Sequence, residues 1–221
     1  MTSDATPRGY RPQIRAHVDR ELGAVHQVFE GAPPADSPQA LTIDVLHVAA
    51  TVERPVHTLI TAGMSDLPMN TAGDAKAPRR LELMMTLPRQ WKLDGLAATD
   101  VGYWPIRTLI DLARLPHERG TGLGWGQAVP NGNPPAPYAP DTKLCGVILA
   151  PSLLVPKEFY VLETGGQRIE FYAAIPLYQE ELELRQQKGM EHLLTTLIDH
   201  RINDLVEIKR RNITRKRFGF F

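Results

Sequence analysis

The spacing of apolar residues along the first part of the chain changes from helical to alternating. Between Ile14 and Phe29, apolar side chains recur every three or four residues, which predicts an amphipathic helix over roughly 10–30. Further along, three stretches rich in β-branched residues alternate apolar and polar positions, which is the pattern of half-buried strands. These predicted strands cover 41–50, 56–63 and 79–88.

A second helix and a long loop are predicted in the middle of the chain. Trp104 and Pro105 precede apolar residues at helical spacing, and proline suits the first turn of a helix. We expect this helix to end at Pro116, because proline lacks the amide hydrogen that an interior helical position donates. Residues 117–141 are rich in Gly and Pro, and ordered loops of this length are uncommon and usually functional or mobile.

The remaining pattern predicts strands followed by helices. The segment Thr164–Gln167 contains Gly165 and Gly166, which supply the positive φ angles of a tight hairpin turn. From Tyr178 the spacing is helical and predicts either two helices hinged at Gly189 or one helix with a defect there. The predicted strands of this part cover 143–150, 158–163 and 168–177.

This order of elements defines a fold class. No internal repeat is visible, and no Ser/Gly-rich linker divides the chain. We therefore predict a single α+β domain with a mixed, largely antiparallel sheet packed by helices. The predicted boundaries are a disordered N-terminus at 1–9, the domain itself at 10–208, and a basic and aromatic C-terminal tail at 209–221.

Composition narrows the functional classes. The chain has 221 residues, of which 43% are hydrophobic, and this is enough for a sizeable core. The 25 basic and 25 acidic residues balance, so overall charge gives no argument for nucleic acid or an anionic membrane. The N-terminus lacks an apolar signal segment, and no apolar run reaches the roughly 20 residues of a membrane helix. We expect a cytoplasmic protein without a membrane partner.

The spacing of the cysteine and histidine residues does not indicate a metal or cofactor site. The single cysteine excludes a disulfide framework and a cysteine-based zinc site. No HExxH motif occurs among the seven histidines. His17 and His26 lie nine positions apart, about half a turn around the predicted helix, and His192 and His200 are separated by two turns. Solvent-facing or hydrogen-bonded histidines are the simpler interpretation, and we predict no metal and no cofactor.

Nucleophilic catalysis is equally weakly supported. Ser65 lies in TAGMSDLPMN, residues 61–70, which lacks the second glycine of a G-x-S-x-G elbow. A Ser or Asp after a strand more often forms a turn or caps a helix. Cys145 lies in the apolar strand LCGVIL, which indicates a buried and unreactive thiol. We therefore expect Met64 in the core, a structural turn and no enzymatic activity.

Two polar segments remain as candidate contact regions. Gly120–Gly126 has alternating glycines but no following Lys-Ser/Thr, so it is not a phosphate-binding loop. It is either a plain flexible loop or a partner-contacting loop, in which Trp125 and Tyr138 would anchor the interface. The C-terminal tail has six basic residues between Lys209 and Arg217 and is either solvated or in contact with an acidic partner or nucleic acid.

Taken together in this order, several segments across roughly residues 40–190 resemble the suppressor of fused domain family, and in particular its short, single-domain bacterial members. The resemblance implies an α/β fold without enzymatic activity. In animals, a multidomain relative binds and restrains a transcription factor in Hedgehog signalling, a role not carried over to this chain. For bacterial relatives the resemblance implies immunity proteins that neutralise polymorphic toxins. The segments are TAGMSDLPMN, RRLELMMTLPRQW, YWPIRTLIDLAR, the Gly-rich loop, GVILAPS and IEFYAAIPLYQEELELRQQKG.

Three functional hypotheses follow. The first is a protein-binding module that sequesters a protein partner, with a toxin as the narrower version. The second is an enzyme with a scattered site, built from some of His57, Ser65, Asp66, Glu82 and His117. The third is a nucleic-acid-associated protein that uses the tail at 209–221. For the first hypothesis, the candidate contact residues are Asp66, Met69, Arg79, Arg80, Trp125 and Tyr138.

Overall fold

The computed structural model describes residues 9–33, 41–71 and 77–215. In these residues, eight strands form one sheet and four helices pack on it. The helices are α1 (Arg11–Glu21), α2 (Trp104–Arg119), α3 (Gln179–Lys188) and α4 (Met190–Asp199). The strands are β1 (Val25–Phe29), β2 (Asp44–Val48), β3 (Val56–Ala62), β4 (Leu81–Pro88), β5 (Ala128–Pro130), β6 (Leu144–Ala150), β7 (Val161–Thr164) and β8 (Gln167–Tyr178).

The sheet is mixed and largely antiparallel, which confirms the predicted α+β class. Its strand order is β1-β2-β3-β4-β8-β6-β5, and β7 pairs with the start of β8. Only β4 and β8 run parallel among these pairs, with Leu81 opposite Glu170. Both β4 and β6 are buried along nearly their whole length, as expected for internal strands covered on both faces.

Helices cover both faces of the sheet. On one face, Leu109 of α2 belongs to the same apolar cluster as Leu83 of β4. On the other face, Ile14 of α1 and Leu193 of α4 pack in a cluster with Met84 of β4. Neighbouring residues of one strand point to opposite faces, so alternation along β4 divides its side chains between the two cores.

The predicted helix over 10–30 is wrong in its second half, where the structure has β1. Helix α1 ends at Glu21, and Gly23 takes a positive φ of 113° in the connection to the strand. Val25 and Phe29 are four residues apart, a spacing that fits one helical turn and also one face of a strand. Antiparallel pairing of β1 with β2 selects the strand.

The predicted end of α2 at Pro116 and the unbroken loop at 117–141 are also wrong. The helix continues to Arg119 and ends at Gly120, whose φ of 64° is the left-handed conformation common after a helix. Proline near the end of a helix removes only one backbone hydrogen bond, which the last turn tolerates. Residues 128–130 form β5, which pairs with β6.

The C-terminal part of the chain is partly as predicted. The hairpin joins β7 and β8, with Thr164 opposite Gln167, and two helices meet at Gly189. Helix α4 ends at Asp199, and Leu205 beyond it forms a bridge to Thr86 of β4.

Both predicted ends extend beyond the described residues. Residues 1–8 of the predicted disordered N-terminus and residues 216–221 of the predicted tail lie outside the described ranges. Residues 209–215 are described, and Arg210 and Ile213 are each only 7% exposed on the body of the domain. No helix in the described ranges is long and apolar enough to cross a membrane.

Candidate functional site

The stretch 61–70 forms a buried corner around the carboxylate of Glu82. After β3, Gly63 adopts a φ of 129°, and the chain enters a short 3₁₀ turn at Met64–Asp66. The Ser65 hydroxyl donates to Glu82 Oε1 at 2.6 Å, and the Thr61 hydroxyl donates to Oε2 at 2.5 Å. The amides of Gly63 and Ser65 also donate to Oε1, at 3.1 and 3.0 Å. Four donors therefore converge on one side chain.

Glu82 has the environment of a structural carboxylate. It is completely buried, and no described cation forms an ion pair with it. Burial raises the pKa of its carboxyl group, while the hydrogen bonds from Ser65, Thr61 and Gly63 act in the opposite direction. Because Ser65 is also completely buried, its hydroxyl cannot reach a substrate in this conformation.

Asp66 and Arg80 join this corner to the start of α1. Asp66 accepts a hydrogen bond from the amide of Tyr10 at 2.9 Å and forms an ion pair with Arg11 at 2.9 Å. The Arg80 guanidinium donates to the backbone oxygens of Ser65 and Asp66 and lies 5.0 Å from the centre of the Tyr10 ring. These contacts hold the helix onto the corner.

The remaining candidate contact residues differ in exposure. The expectation that Met69 reaches the surface is wrong: it is 4% exposed, and its sulfur accepts the amide of Leu123 at 3.4 Å. Tyr138 stacks on Trp104 with ring centres 5.0 Å apart, and burial raises the pKa of its hydroxyl. Arg79 is exposed, and Trp125 is 57% exposed. Only these last two present their side chains freely.

Among the residues proposed for a scattered catalytic site, Ser65 and Glu82 are hydrogen-bonded but completely buried, and the two histidines contact backbone oxygens instead. His117 lies at the same corner, but its Nε2 contacts the backbone oxygen of Met64 at 3.1 Å. His57 lies at the opposite end of β3, where its Nε2 contacts the backbone oxygen of Arg89 at 3.1 Å. The two histidines and Ser65 therefore serve separate structural contacts.

A cluster of three histidines was not predicted from the sequence. His47 Nε2 lies 2.9 Å from His57 Nδ1, which also accepts the amide of Ala50 at 3.2 Å. The ring of His26 packs edge-on against that of His47 at 5.6 Å. The pairing of β1, β2 and β3 brings these side chains together. The cluster was not predicted because the sequence does not reveal the register in which these strands pair. No set of three His, Cys, Asp or Glu residues suited to a metal ion occurs within the described ranges.

A groove of about 920 Å³ lies where the ends of β3 and β4 meet the C-terminal segment. One wall comes from the loop after β4, where Trp91 donates its indole N–H to the backbone oxygen of Gly102 at 3.1 Å. The other wall is the segment after α4, in which the amide of Val206 donates to Thr86 at 2.8 Å. Its apolar lining includes Val56, Trp91, Leu96, Leu205, Val206 and Ile208.

Charged side chains border this groove. Arg89, Lys92 and Lys209 are exposed cations of the lining, and Asp141 and Glu207 are exposed carboxylates. None of these five forms an ion pair with another described residue.

A buried ion pair and buried hydrogen bonds anchor the C-terminal wall. Arg210 is 7% exposed and pairs with the fully buried Glu181, and it also donates to the backbone oxygen of Pro176 at 2.8 Å. Asp204 accepts the hydroxyl of Ser152 at 2.5 Å and the amide of Leu153 at 2.8 Å. The segment between these two anchors is thereby fixed beside the groove.

Arg54 is a further cation, and it immediately precedes the lining residue Pro55 in the sequence. One of its three guanidinium nitrogens is buried without a hydrogen-bond acceptor in the described residues, and a second donates to the hydroxyl of Thr58 at 2.5 Å. Burial lowers the pKa of Arg54. Its charge is therefore not neutralised by any described carboxylate.

Family comparison agrees with the resemblance carried by the corner and its neighbouring segments. The family model for Suppressor of fused protein (SUFU) matches residues 39–211. The chain therefore belongs to the suppressor of fused protein family. A comparison with curated proteins gave no match.

Solved structures share the fold. A SUFU homolog from Neisseria gonorrhoeae matches with a TM-score of 0.70 and 14% identity, over 94% of this chain and 98% of that one. The Sufu–Fu complex matches with a TM-score of 0.64 and 14% identity, over 94% and 93% of the two chains. Drosophila Suppressor of Fused matches with a TM-score of 0.54 and 15% identity, over 78% of this chain and 42% of that one.

Proposed function

We propose that this chain is a non-enzymatic module that binds a protein partner. The observation that carries the proposal is the composition of the groove beside the C-terminal segment. That groove is lined by aliphatic, aromatic and charged side chains and contains no Ser, Thr, Cys, His or Tyr. A concave, mainly apolar surface whose carboxylates and lysines are exposed is better suited to binding than to chemistry.

The positions and contacts of the other reactive side chains support the same proposal. The hydroxyl of Ser65 and the carboxylate of Glu82 are buried against each other, and His117 contacts the backbone of Met64. The fold is shared with a protein solved as the Sufu–Fu complex. That likeness is to the fold, and partner binding by this chain is our inference.

A narrower version makes the partner a toxin that the chain neutralises in the cytoplasm. Its support is the resemblance to short bacterial members of the family. In this version the chain blocks the toxin by stoichiometric binding, so protection requires at least one copy of this chain for each toxin molecule.

Co-expression with the products of the flanking genes tests both versions. We expect one product to co-purify in a fixed ratio, measured by size-exclusion chromatography with light scattering, and its intact mass to be unchanged. For the toxin version, that product should arrest growth when expressed alone. A partner whose mass changes in the complex contradicts the non-enzymatic proposal. Failure of every flanking product to bind or to be neutralised contradicts the immunity version.

A further inference from the structure

The groove beside the C-terminal segment has the features of a peptide-binding surface. Its volume of about 920 Å³ lies at the upper end of the range for small-molecule pockets, which is roughly 300–1,000 Å³. Its two walls come from chain segments far apart in sequence, the loop that contains Trp91 and the segment Leu205–Arg210. The apolar side chains of the groove therefore lie exposed between two separate backbone segments.

The charges at the groove favour an acidic ligand. Arg89 and Lys92 lie on one wall and Lys209 on the other, and Arg54 precedes the lining residue Pro55. None of these four cations forms an ion pair with a described residue, whereas the neighbouring Arg210 is neutralised by Glu181. Among the unpaired lining groups, three cations face the two carboxylates Asp141 and Glu207, which leaves an excess of one positive charge.

The C-terminal wall also has unused backbone donors. The amides of Glu207, Ile208 and Lys209 make no hydrogen bond to any residue in the described ranges. Consecutive free amides near a lysine are suited to a carboxylate or a carbonyl oxygen of a second chain.

We propose that this groove binds a segment of the protein partner in which apolar side chains lie next to carboxylates. The apolar side chains of the segment pack on Trp91, Leu96 and Ile208, while its carboxylates face Lys92 and Lys209. This proposal rests on the proposed protein-binding function and adds the location and the chemistry of the contact.

Nucleic acid fits the same surface less well. The lining carboxylates Asp141 and Glu207 would repel phosphates, and the aliphatic floor offers few flat faces for bases. Trp91, the aromatic residue of the lining, is half-buried and packs edge-on against Trp104 at a ring-centre distance of 6.0 Å. Base stacking therefore has little free aromatic surface here.

Selection from a displayed library of linear dodecapeptides tests the proposal. The wild-type chain is immobilised, and enriched peptides are synthesised with a fluorescent label for polarisation measurements. We expect enriched peptides to combine Asp or Glu with Leu, Ile, Val or Phe, and to bind more weakly as salt is added. We expect replacement of their apolar residues by Ala to abolish binding.

Charge reversal at the groove locates the contact. The double variant Lys92→Glu with Lys209→Glu should weaken binding about tenfold or more, because two attractive contacts become repulsive. The matched control reverses two exposed lysines that do not line the groove, Lys157→Glu with Lys188→Glu, and should leave affinity within about twofold. Circular dichroism should show that both double variants keep the fold.

Several outcomes would overturn the inference. These are an absence of enriched peptides, enrichment of peptides without acidic residues, equal loss in both double variants, or tighter groove-dependent binding of a single-stranded RNA oligonucleotide. If a flanking gene product binds the wild-type chain and the groove variant equally, the groove proposal fails while the protein-binding function stands. If no partner protein binds the wild-type chain or the groove variant, the proposed function itself fails.

Discussion

Buried polar side chains fix the corner that follows β3. Glu82 gathers four donors from Thr61, Gly63 and Ser65, and Asp66 joins the same turn to Tyr10 at the start of α1. A buried donor without an acceptor costs about 1–3 kcal/mol, so each of these contacts stabilises the fold chiefly by avoiding that loss. The corner is best understood as a structural element.

The substitution Glu82→Gln should lower the free energy of unfolding by about 1–3 kcal/mol, because the amide offers one acceptor oxygen where the carboxylate offers two. Urea denaturation followed by fluorescence measures this change. The control Glu118→Gln removes an exposed carboxylate at the end of α2 and should change stability by less than about 0.5 kcal/mol. Equal effects of the two substitutions would contradict the structural role of Glu82.

His47 should make the stability of the protein depend on pH below neutrality. Burial, followed by the neighbouring His57 and His26, lowers its pKa from 6.5 to about 4. Between these values the unfolded chain binds a proton on His47 that the folded chain does not. Stability from this group is therefore fully present above pH 6.5 and is lost as the pH falls towards 4, by up to about 3 kcal/mol.

Unfolding free energies at several pH values between 4 and 8 measure this dependence. The variant His47→Gln can still donate a hydrogen bond to His57 but does not titrate, so its stability should fall less steeply with acidification than that of the wild type. His192→Gln, at an exposed position on α4, should keep the wild-type slope. Identical slopes for wild type and His47→Gln would show that His47 titrates normally in the folded state.

Sequence patterns were informative for residues whose role is local. Met64 is completely buried, as predicted, and Ser65 bonds within its own corner. The sequence did not indicate the burial of Met69 or the stacking of Tyr138, because both depend on segments remote in the chain: Leu123 contacts the first and Trp104 the second. The exposure of a loop residue is set by what folds over it.

Among the larger elements, the segment after α4 depends on one buried ion pair. Arg210 and Glu181 are 7% and 0% exposed, and Arg210 also lies over the ring of Tyr178 at 5.0 Å. The amide of Tyr178 donates to Glu181 at 2.9 Å. Removal of one charge would leave the other buried without a partner.

We expect Arg210→Met to lower the free energy of unfolding by about 3–5 kcal/mol. The double variant Arg210→Met with Glu181→Leu should lose clearly less than the sum of its two single variants, because neither charge is then left alone. Denaturant unfolding of the four proteins gives this coupling. Arg211→Met, at an exposed neighbouring position, is the matched control and should be nearly neutral. Additive losses would contradict a direct Arg210–Glu181 interaction.

The sequence predicted helices and strands correctly where the apolar residues recur with a clear helical or alternating spacing. β4 and β8 have long alternating patterns, and the Gly165-Gly166 turn between β7 and β8 has its own local chemistry. β1 and β5 were missed because each is short and becomes a strand only by pairing with a neighbour. Tertiary pairing overrides local preference in such short edge segments.

At the scale of the whole molecule, Cys145 reports on opening of the sheet around β6. It is the only cysteine of the chain, lies in β6 between β8 and the edge strand β5, and is 3% exposed. Burial raises the pKa of its thiol, which disfavours the reactive thiolate. We expect negligible modification by iodoacetamide in native buffer, and a single mass addition in denaturant, measured by intact mass spectrometry. Rapid modification of the native protein would contradict the burial of this strand.

The groove could not be predicted from the sequence as a site. Its lining comes from Val56, the loop after β4, Asp141 and the segment after α4, and no local motif links them. The pattern did indicate the strands β3 and β4 that border the groove, but not the segment after α4 that forms its second wall. Sites assembled from distant segments need the tertiary fold before they can be recognised.

The parallel pairing of β4 with β8 has a consequence for synthesis on the ribosome. β1 to β4 can form their antiparallel ladder early, because each strand pairs with its neighbour in sequence. The other edge of β4, LELMMTLP, stays open until Glu170 and the rest of β8 have emerged. During that interval a nascent chain displays an apolar strand edge, which is prone to aggregate. Rapid translation through α2 and β6, or a chaperone that covers β4, should therefore raise the yield of folded protein.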